Sequence, residues 1–139
     1  MKKPLLLALL FVSVGFTTIQ AQCNNDSKPA SKATSMGVVI YSNDPETVWN
    51  ALRLANYSKS EGDTVCVFLL GKGVEVDKLV NENNDIKEQA NKLLDNGGEI
   101  LGCGTCLQSR NINDPKICKF SSMKDLYELI RKSKLVLTF

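Results

Sequence analysis

The chain has 139 residues, 43% of them apolar and 23% charged, with 9 Gly, 4 Pro and only 6% aromatic. This balance suits one globular domain and excludes a disordered chain, which would carry fewer apolar residues and more net charge. There is no histidine, which excludes Ser-His-Asp and Cys-His catalysis, His-ligated metals and imidazole proton shuttles.

Seventeen Lys and Arg face fifteen Asp and Glu. Two of the cations are Lys2 and Lys3. Without them the chain is neutral, and no basic patch of nucleic-acid strength is expected. Five cysteines are the most informative chemistry left.

Met1-Lys2-Lys3-Pro4 is a short basic region, and Leu5 to Phe16 is an apolar run. Thr17 to Ala21 is more polar and ends in a small residue. This is the layout of a secretory signal peptide, and the run is too short for a bilayer-spanning helix of about 20 residues. Residues 1–21 are therefore expected to be cleaved after Ala21, which places the protein in the periplasm or outside the cell, with no membrane span after cleavage. Gln20 and Gln22 flank the cut where a lipoprotein pattern wants a Leu-like and a small residue, so acylation of Cys23 is not expected. Residues 22–35 hold no apolar period and read as a flexible linker. The folded domain is expected over 36–139.

Gly37 to Tyr41 is an apolar run, as in a strand covered on both faces. Asp44 can cap the next helix, Pro45 suits its first position, and Glu46 complements its positive end. Val48, Leu52 and Ala55 recur at helical spacing up to Gly62. Thr64 to Leu70 is a second buried strand, closed by Gly71-Lys72-Gly73. Val76, Leu79 and Val80 predict a short helix in a stretch that is otherwise hard to read. Ile86, Ala90, Leu93 and Leu94 predict an amphipathic helix ending at Gly97-Gly98. Glu99 to Cys103 is a third strand and Ile117 to Phe120 a short fourth. Ser122 and Asp125 form a capping box, with Asp in the Glu position, for a helix carrying Leu126, Leu129 and Ile130. Leu135 to Phe139 is a last strand. Strand and helix alternate, so the expected fold is a three-layer α/β/α domain around a mainly parallel five-stranded sheet. Chemistry in such folds sits beyond the carboxyl ends of the strands.

Cys66, between Val65 and Val67, and Cys118, in a short apolar run, read as buried small hydrophobes. Gly102-Cys103-Gly104-Thr105-Cys106 differs from these. It follows the third strand directly, so both thiols fall near the sheet edge. Backbone N–H groups there, with Arg110 seven residues beyond Cys103, would favour a thiolate. The glycines beside Cys103 allow backbone or a partner to approach closely. The competing reading is a plain disulfide or two packed thiols. Zinc would want four ligands, and this pair plus Cys118 supplies three, so no metal is expected. The C-x-x-C spacing also fits thioredoxin-like redox motifs, but those follow an early strand and need a proline opposite, and the only later proline is Pro115. Gly71-x-Gly73 lacks the third glycine of a dinucleotide loop, and there is no Walker A pattern, so no cofactor is expected.

The domain resembles the DsrE-like (DsrE/DsrF/TusD) sulfur-relay family over about residues 36–139. The resemblance is carried by Asn43-Asp44-Pro45, Asn50 to Ala55, Val67 to Val74, Gly102-Cys103-Gly104-Thr105-Cys106-Leu107-x-x-Arg110 and Val136-Leu137. It implies a five-stranded parallel α/β/α fold that forms trimers or hexamers, and a cysteine carrying sulfane sulfur as a persulfide between donor and acceptor proteins or small persulfides. The family's sulfur-carrying Cys precedes an Arg by seven residues, which matches Cys103 and Arg110. Asn111 stands where the family often has Gly, and Asn also tolerates left-handed backbone. The leader peptide departs from the cytoplasmic members. The expected activity is thus that of an exported sulfur carrier or sulfurtransferase-like protein. Cys103 attacks a donor's sulfane sulfur, Cys106 resolves the persulfide, and Arg110 with loop N–H groups favours the anions. A non-catalytic oligomeric binding module with a structural disulfide, and a thiol-disulfide oxidoreductase, are the alternatives.

Overall fold

The computed structural model describes residues 32–139. The expected leader 1–21, Cys23 and residues 22–31 of the expected linker lie outside the described residues, and the linker's last residue, Ser35, belongs to β1.

Strand β1 (Ser35–Ile40) starts earlier than its apolar run and stops before Tyr41, which is exposed. Helix α1 (Pro45–Ser60) starts as expected: the Asp44 carboxylate accepts from the Thr47 amide at 2.8 Å and the Thr47 hydroxyl at 2.7 Å. Val48, Ala51, Leu52 and Ala55 form its buried stripe. Gly62, at φ 93, turns the chain into β2 (Thr64–Leu69). A 3-10 turn over Gly71–Glu75 then leads straight into α2 (Val76–Glu82). Asn83 caps α3 (Asn84–Asp95), its side chain accepting from the Asp85 and Ile86 amides.

After β3 (Glu99–Cys103) comes a short helix, α4 (Gly104–Gln108). Strand β4 is confined to Lys119–Ser121 rather than starting at Ile117. The reason is Asp77. Its buried carboxylate accepts from the Lys116 amide at 2.6 Å and the Ile117 amide at 3.0 Å, so this stretch is bound to α2 before it can join the sheet. The capping box of α5 (Met123–Lys132) is formed: the Ser122 hydroxyl accepts from the Asp125 amide, and the Asp125 carboxylate accepts from the Ser122 amide. Strand β5 (Leu135–Thr138) ends the domain.

The sheet has five strands in the order β4-β3-β2-β1-β5, every neighbouring pair parallel. The fold class is the expected three-layer α/β/α domain. The path from β1 to β2, β3 and β4 steps one way across the sheet, and right-handed crossovers put α1 and α3 together on one face. The return from β4 to β5 puts α5 on the other. There Leu129 of α5 lies against Gly37 so closely that a Cβ on that glycine would come within 2.4 Å of the leucine. The core is continuous between the sheet and α1, α3 and α4, with Phe68, Ile40, Leu52, Leu69, Ile86, Leu93, Ile100 and Leu107 enclosed.

Asp77 is a test of the packing that shapes β4. Asp77→Ala leaves the buried Ile117 amide and the half-buried Lys116 amide without an acceptor, so a stability loss of about 3 kcal/mol is expected. Urea unfolding measures it, and a midpoint equal to wild type would show that water takes over the acceptor role.

Candidate functional site: the thiol pair beyond strand three

Strand β3 ends at Cys103, and α4 begins at the next residue, so Cys103 and Cys106 are separated by the first turn of a helix. Among the described residues Cys66, Cys103, Cys106 and Cys118 are all free thiols. Cys103 is the N-cap residue of α4 and Cys106 its third helical residue, so the two thiols are neighbours across one helical turn. The two glycines beside Cys103 are filled by the chain itself. A Cβ on Gly102 would come within 2.7 Å of the Cys118 sulfur, and one on Gly104 within 3.2 Å of the Ser121 carbonyl. Cys103 is thereby walled in and only 4% exposed, whereas Cys106 is half-buried.

The environment of Cys103 differs from the expected one. Burial pushes its thiol above the ordinary value. The nearby Cys106 and Thr105 amides act the other way without capping the sulfur, while the neighbouring Cys106 thiol adds to the rise. Removing a sulfur from water disfavours its anion more than two amides favour it.

Arg110 is committed elsewhere too. Its Nε donates to Glu75 Oε1 at 2.8 Å, and its Nη1 donates to the Cys106 carbonyl at 3.3 Å and to Ser109 Oγ at 3.2 Å. It therefore braces the backbone of the second cysteine while its charge is answered by a carboxylate. Glu75 is held from its other side by Asn43 Nδ2 at 3.0 Å. The Arg110 and Asn43 hydrogen bonds hold the Glu75 carboxyl below its ordinary value. Asn43 follows β1, Glu75 ends the 3-10 turn and Arg110 follows α4, so one polar chain joins three loops at the carboxyl edge of the sheet. Asn111 takes the left-handed conformation, φ 56, as its residue type allows.

A further donor comes from Gly71. Its amide donates to the Cys106 sulfur at 3.3 Å. Gly71 sits at φ 57, in the left-handed region. Two residues on, Gly73 lies so close to β1 that a Cβ there would be 1.9 Å from the Ile40 carbonyl oxygen. The glycines seen in the sequence as a strand stop thus bring backbone up to a thiol. The Glu75 and Gly71 contacts were not legible beforehand, since both lie more than thirty residues from their partners.

The remaining cysteines stand apart. Cys118 is buried as expected and pushed up to about 12, by burial and then by the Asp77 carboxylate. Cys66 is less enclosed than its apolar neighbours suggested. It is half-buried and lines a cavity of about 300 Å³ between the sheet and α5. Burial and the nearby Glu99 push its thiol to about 11, with Lys119 opposing. Among the described residues no group of His, Cys, Asp and Glu could hold a metal ion. No described helix is long and apolar enough to cross a membrane.

Thiolate is the alkylating nucleophile. Among the described cysteines, Cys106, the more open of the pair, is expected to react before Cys103 with iodoacetamide at pH 8, and Cys118 last. With three units between its ordinary value of 9.0 and about 12, Cys118 has about a thousandfold less thiolate than an unshifted cysteine. Timed quenching and peptide mass spectrometry read the order, and early labelling of Cys118 would contradict this enclosure.

An uncharacterised Methanocaldococcus jannaschii protein, MJ0989, is 29% identical over 100 residues, covering 68% of this chain and 88% of the relative. The Methanopyrus kandleri protein MK0008 is 26% identical over 100 residues, covering 68% of this chain and 83% of that protein. Two proteins of solved structure share the fold. The ychN protein of E. coli matches with a TM-score of 0.67 at 21% identity, over 78% of this chain and all of that one. BT1422 of Bacteroides thetaiotaomicron matches with a TM-score of 0.64 at 19% identity, over 76% of this chain and 95% of that one. The DsrE/DsrF-like family model matches residues 35–139, and the chain belongs to that family.

Proposed function

We propose that this protein carries sulfane sulfur as a persulfide on the Cys103/Cys106 pair and passes it between a donor and an acceptor. The observation that carries the reading is the placement of two free thiols one helical turn apart at the carboxyl edge of a parallel sheet, in a member of a family generally associated with sulfur relay. A thiolate attacks the outer sulfur of a persulfide, and the bond from that sulfur to the donor breaks. Cys103 and Cys106 are the sulfur ligands. Arg110 is a positioning residue, acting through the Cys106 carbonyl and Glu75.

The test is mass spectrometry of the purified protein after incubation with glutathione persulfide. Wild type should gain one sulfur, removable by reductant, and so should Cys66→Ala. The Cys103→Ser, Cys106→Ser double variant should gain none. No gain in wild type, or a gain that persists in the double variant, would overturn the reading. Turnover of a dithiol substrate without any adduct would favour a thiol-disulfide oxidoreductase. A pair found permanently disulfide-bonded would favour a non-catalytic module.

We propose further that the protein works outside the cytoplasm as a trimer or hexamer. The leader-like residues 1–21 support export. Exposed Phe120, Met123, Tyr127, Ile130 and Leu135 support assembly. N-terminal sequencing of protein from its native host should begin at Gln22, and light scattering should give a multiple of three protomers. An intact Met1 would remove the export proposal, and a strict monomer at tens of micromolar would remove the assembly proposal (roughly the range where such contacts persist).

A further inference from the structure

The two cysteines of the pair are not equivalent. Cys103 is enclosed by β4, by Cys118 behind Gly102 and by the start of α4. Cys106 lies one helical turn further out and is half-buried. Its sulfur has the Gly71 amide at 3.3 Å. That donor cannot drift, because Gly73 is pressed on the Ile40 carbonyl and Leu70 donates to the same carbonyl at 2.9 Å. The backbone of Cys106 is gripped by Arg110, which Glu75 holds in turn. The Gly71 and Arg110 contacts both bear on the outer cysteine, and the inner one is withdrawn from solvent.

We propose that Cys106 receives sulfane sulfur from a small donor persulfide, and that Cys103 behind it is where the sulfur is stored. This rests on the persulfide reading and reverses the duties expected from spacing alone.

In the first step the Cys106 sulfur attacks the outer sulfur of R–S–SH. The Cys106 S–S bond forms and the donor S–S bond breaks. The donor departs as a thiolate and takes up the proton that Cys106 gave. In the second step the Cys103 sulfur attacks the outer sulfur of Cys106–S–SH. A new S–S bond forms on Cys103, the Cys106 S–S bond breaks, and the Cys103 proton ends on Cys106. The products are Cys103–S–SH and Cys106–SH. Neither step needs an oxidant or a reductant, because the sulfane sulfur only changes carriers.

The two thiols stand three residues apart at the N-cap and on the first turn of α4, which makes them neighbours for the second step. The Gly71 amide serves both steps, since Cys106 is the nucleophile in the first and the leaving group in the second. Storage on the enclosed sulfur protects the cargo. A solvent thiol that attacked an exposed persulfide would release sulfide and leave a mixed disulfide.

Rapid-quench loading of the purified protein with glutathione persulfide tests this, with alkylation and peptide mass spectrometry to locate the added sulfur. In wild type the sulfur should be found first on Cys106 and then on Cys103. Cys106→Ser should slow the loading of Cys103 by about tenfold or more, and Cys106→Ala should do the same. Cys103→Ser should still take sulfur onto Cys106 but lose it to added cyanide about tenfold faster than wild type does. Loading of Cys103 at the wild-type rate in both Cys106 variants would overturn the proposal, as would loss of the early Cys106 adduct in Cys103→Ser. The absence of any adduct in wild type would instead remove the persulfide reading on which it stands.

Discussion

The close approach of the Gly71–Gly73 turn to the end of β1 is the contact on which the site depends. No Cβ fits between Gly73 and the Ile40 carbonyl, where 1.9 Å would remain. The same carbonyl accepts from Leu70. Because the turn is seated there, Gly71 presents its amide to Cys106 and Glu75 meets both Asn43 and Arg110. A side chain at position 73 would push the turn outward. The sulfur's donor and the arginine's counter-charge would then move together.

The segment that follows extends the same logic. Helix α2 starts as the turn ends, and its buried Asp77 takes two amides of the 116–117 stretch. That anchors Cys118 against Gly102, which closes the space behind Cys103. Residues 71–77 thus join the end of β1, the C-x-x-C turn and the approach to β4. The enclosure has an electrostatic consequence. Cys103 and Cys118 lose water and both thiols rise. The half-buried Cys106 keeps its access to solvent.

Charge at the site is balanced locally. Arg110 is neutralised by Glu75 and touches the cysteine pair only through a carbonyl and Ser109. The group that addresses a sulfur of the pair directly is a backbone amide, that of Gly71. Amides fixed by the fold need no reorganisation when sulfur charge appears or moves. A flexible guanidinium would have to be ordered first.

Much of this protein was already determined by sequence alone. Asp44 with Pro45, and Ser122 with Asp125, specify helix starts because capping needs only neighbours in the chain. Apolar runs of strand length alternating with helical stripes specify a parallel sheet, because both faces of such strands must be covered. The position of the C-x-x-C turn after β3 follows from the same pattern. Tertiary structure decided what surrounds the thiols. The start of β4 shifted from Ile117 to Lys119 because Asp77, forty residues away in sequence, holds the intervening amides. Arg110 lies seven residues from Cys103, yet its guanidinium turns to Glu75. An ion pair in reach of a hydrogen bond outweighs a thiol that burial keeps neutral. Spacing along the chain fixes which side chains can meet. Which of them do meet is set by long-range packing, through the water it removes and the partners it brings.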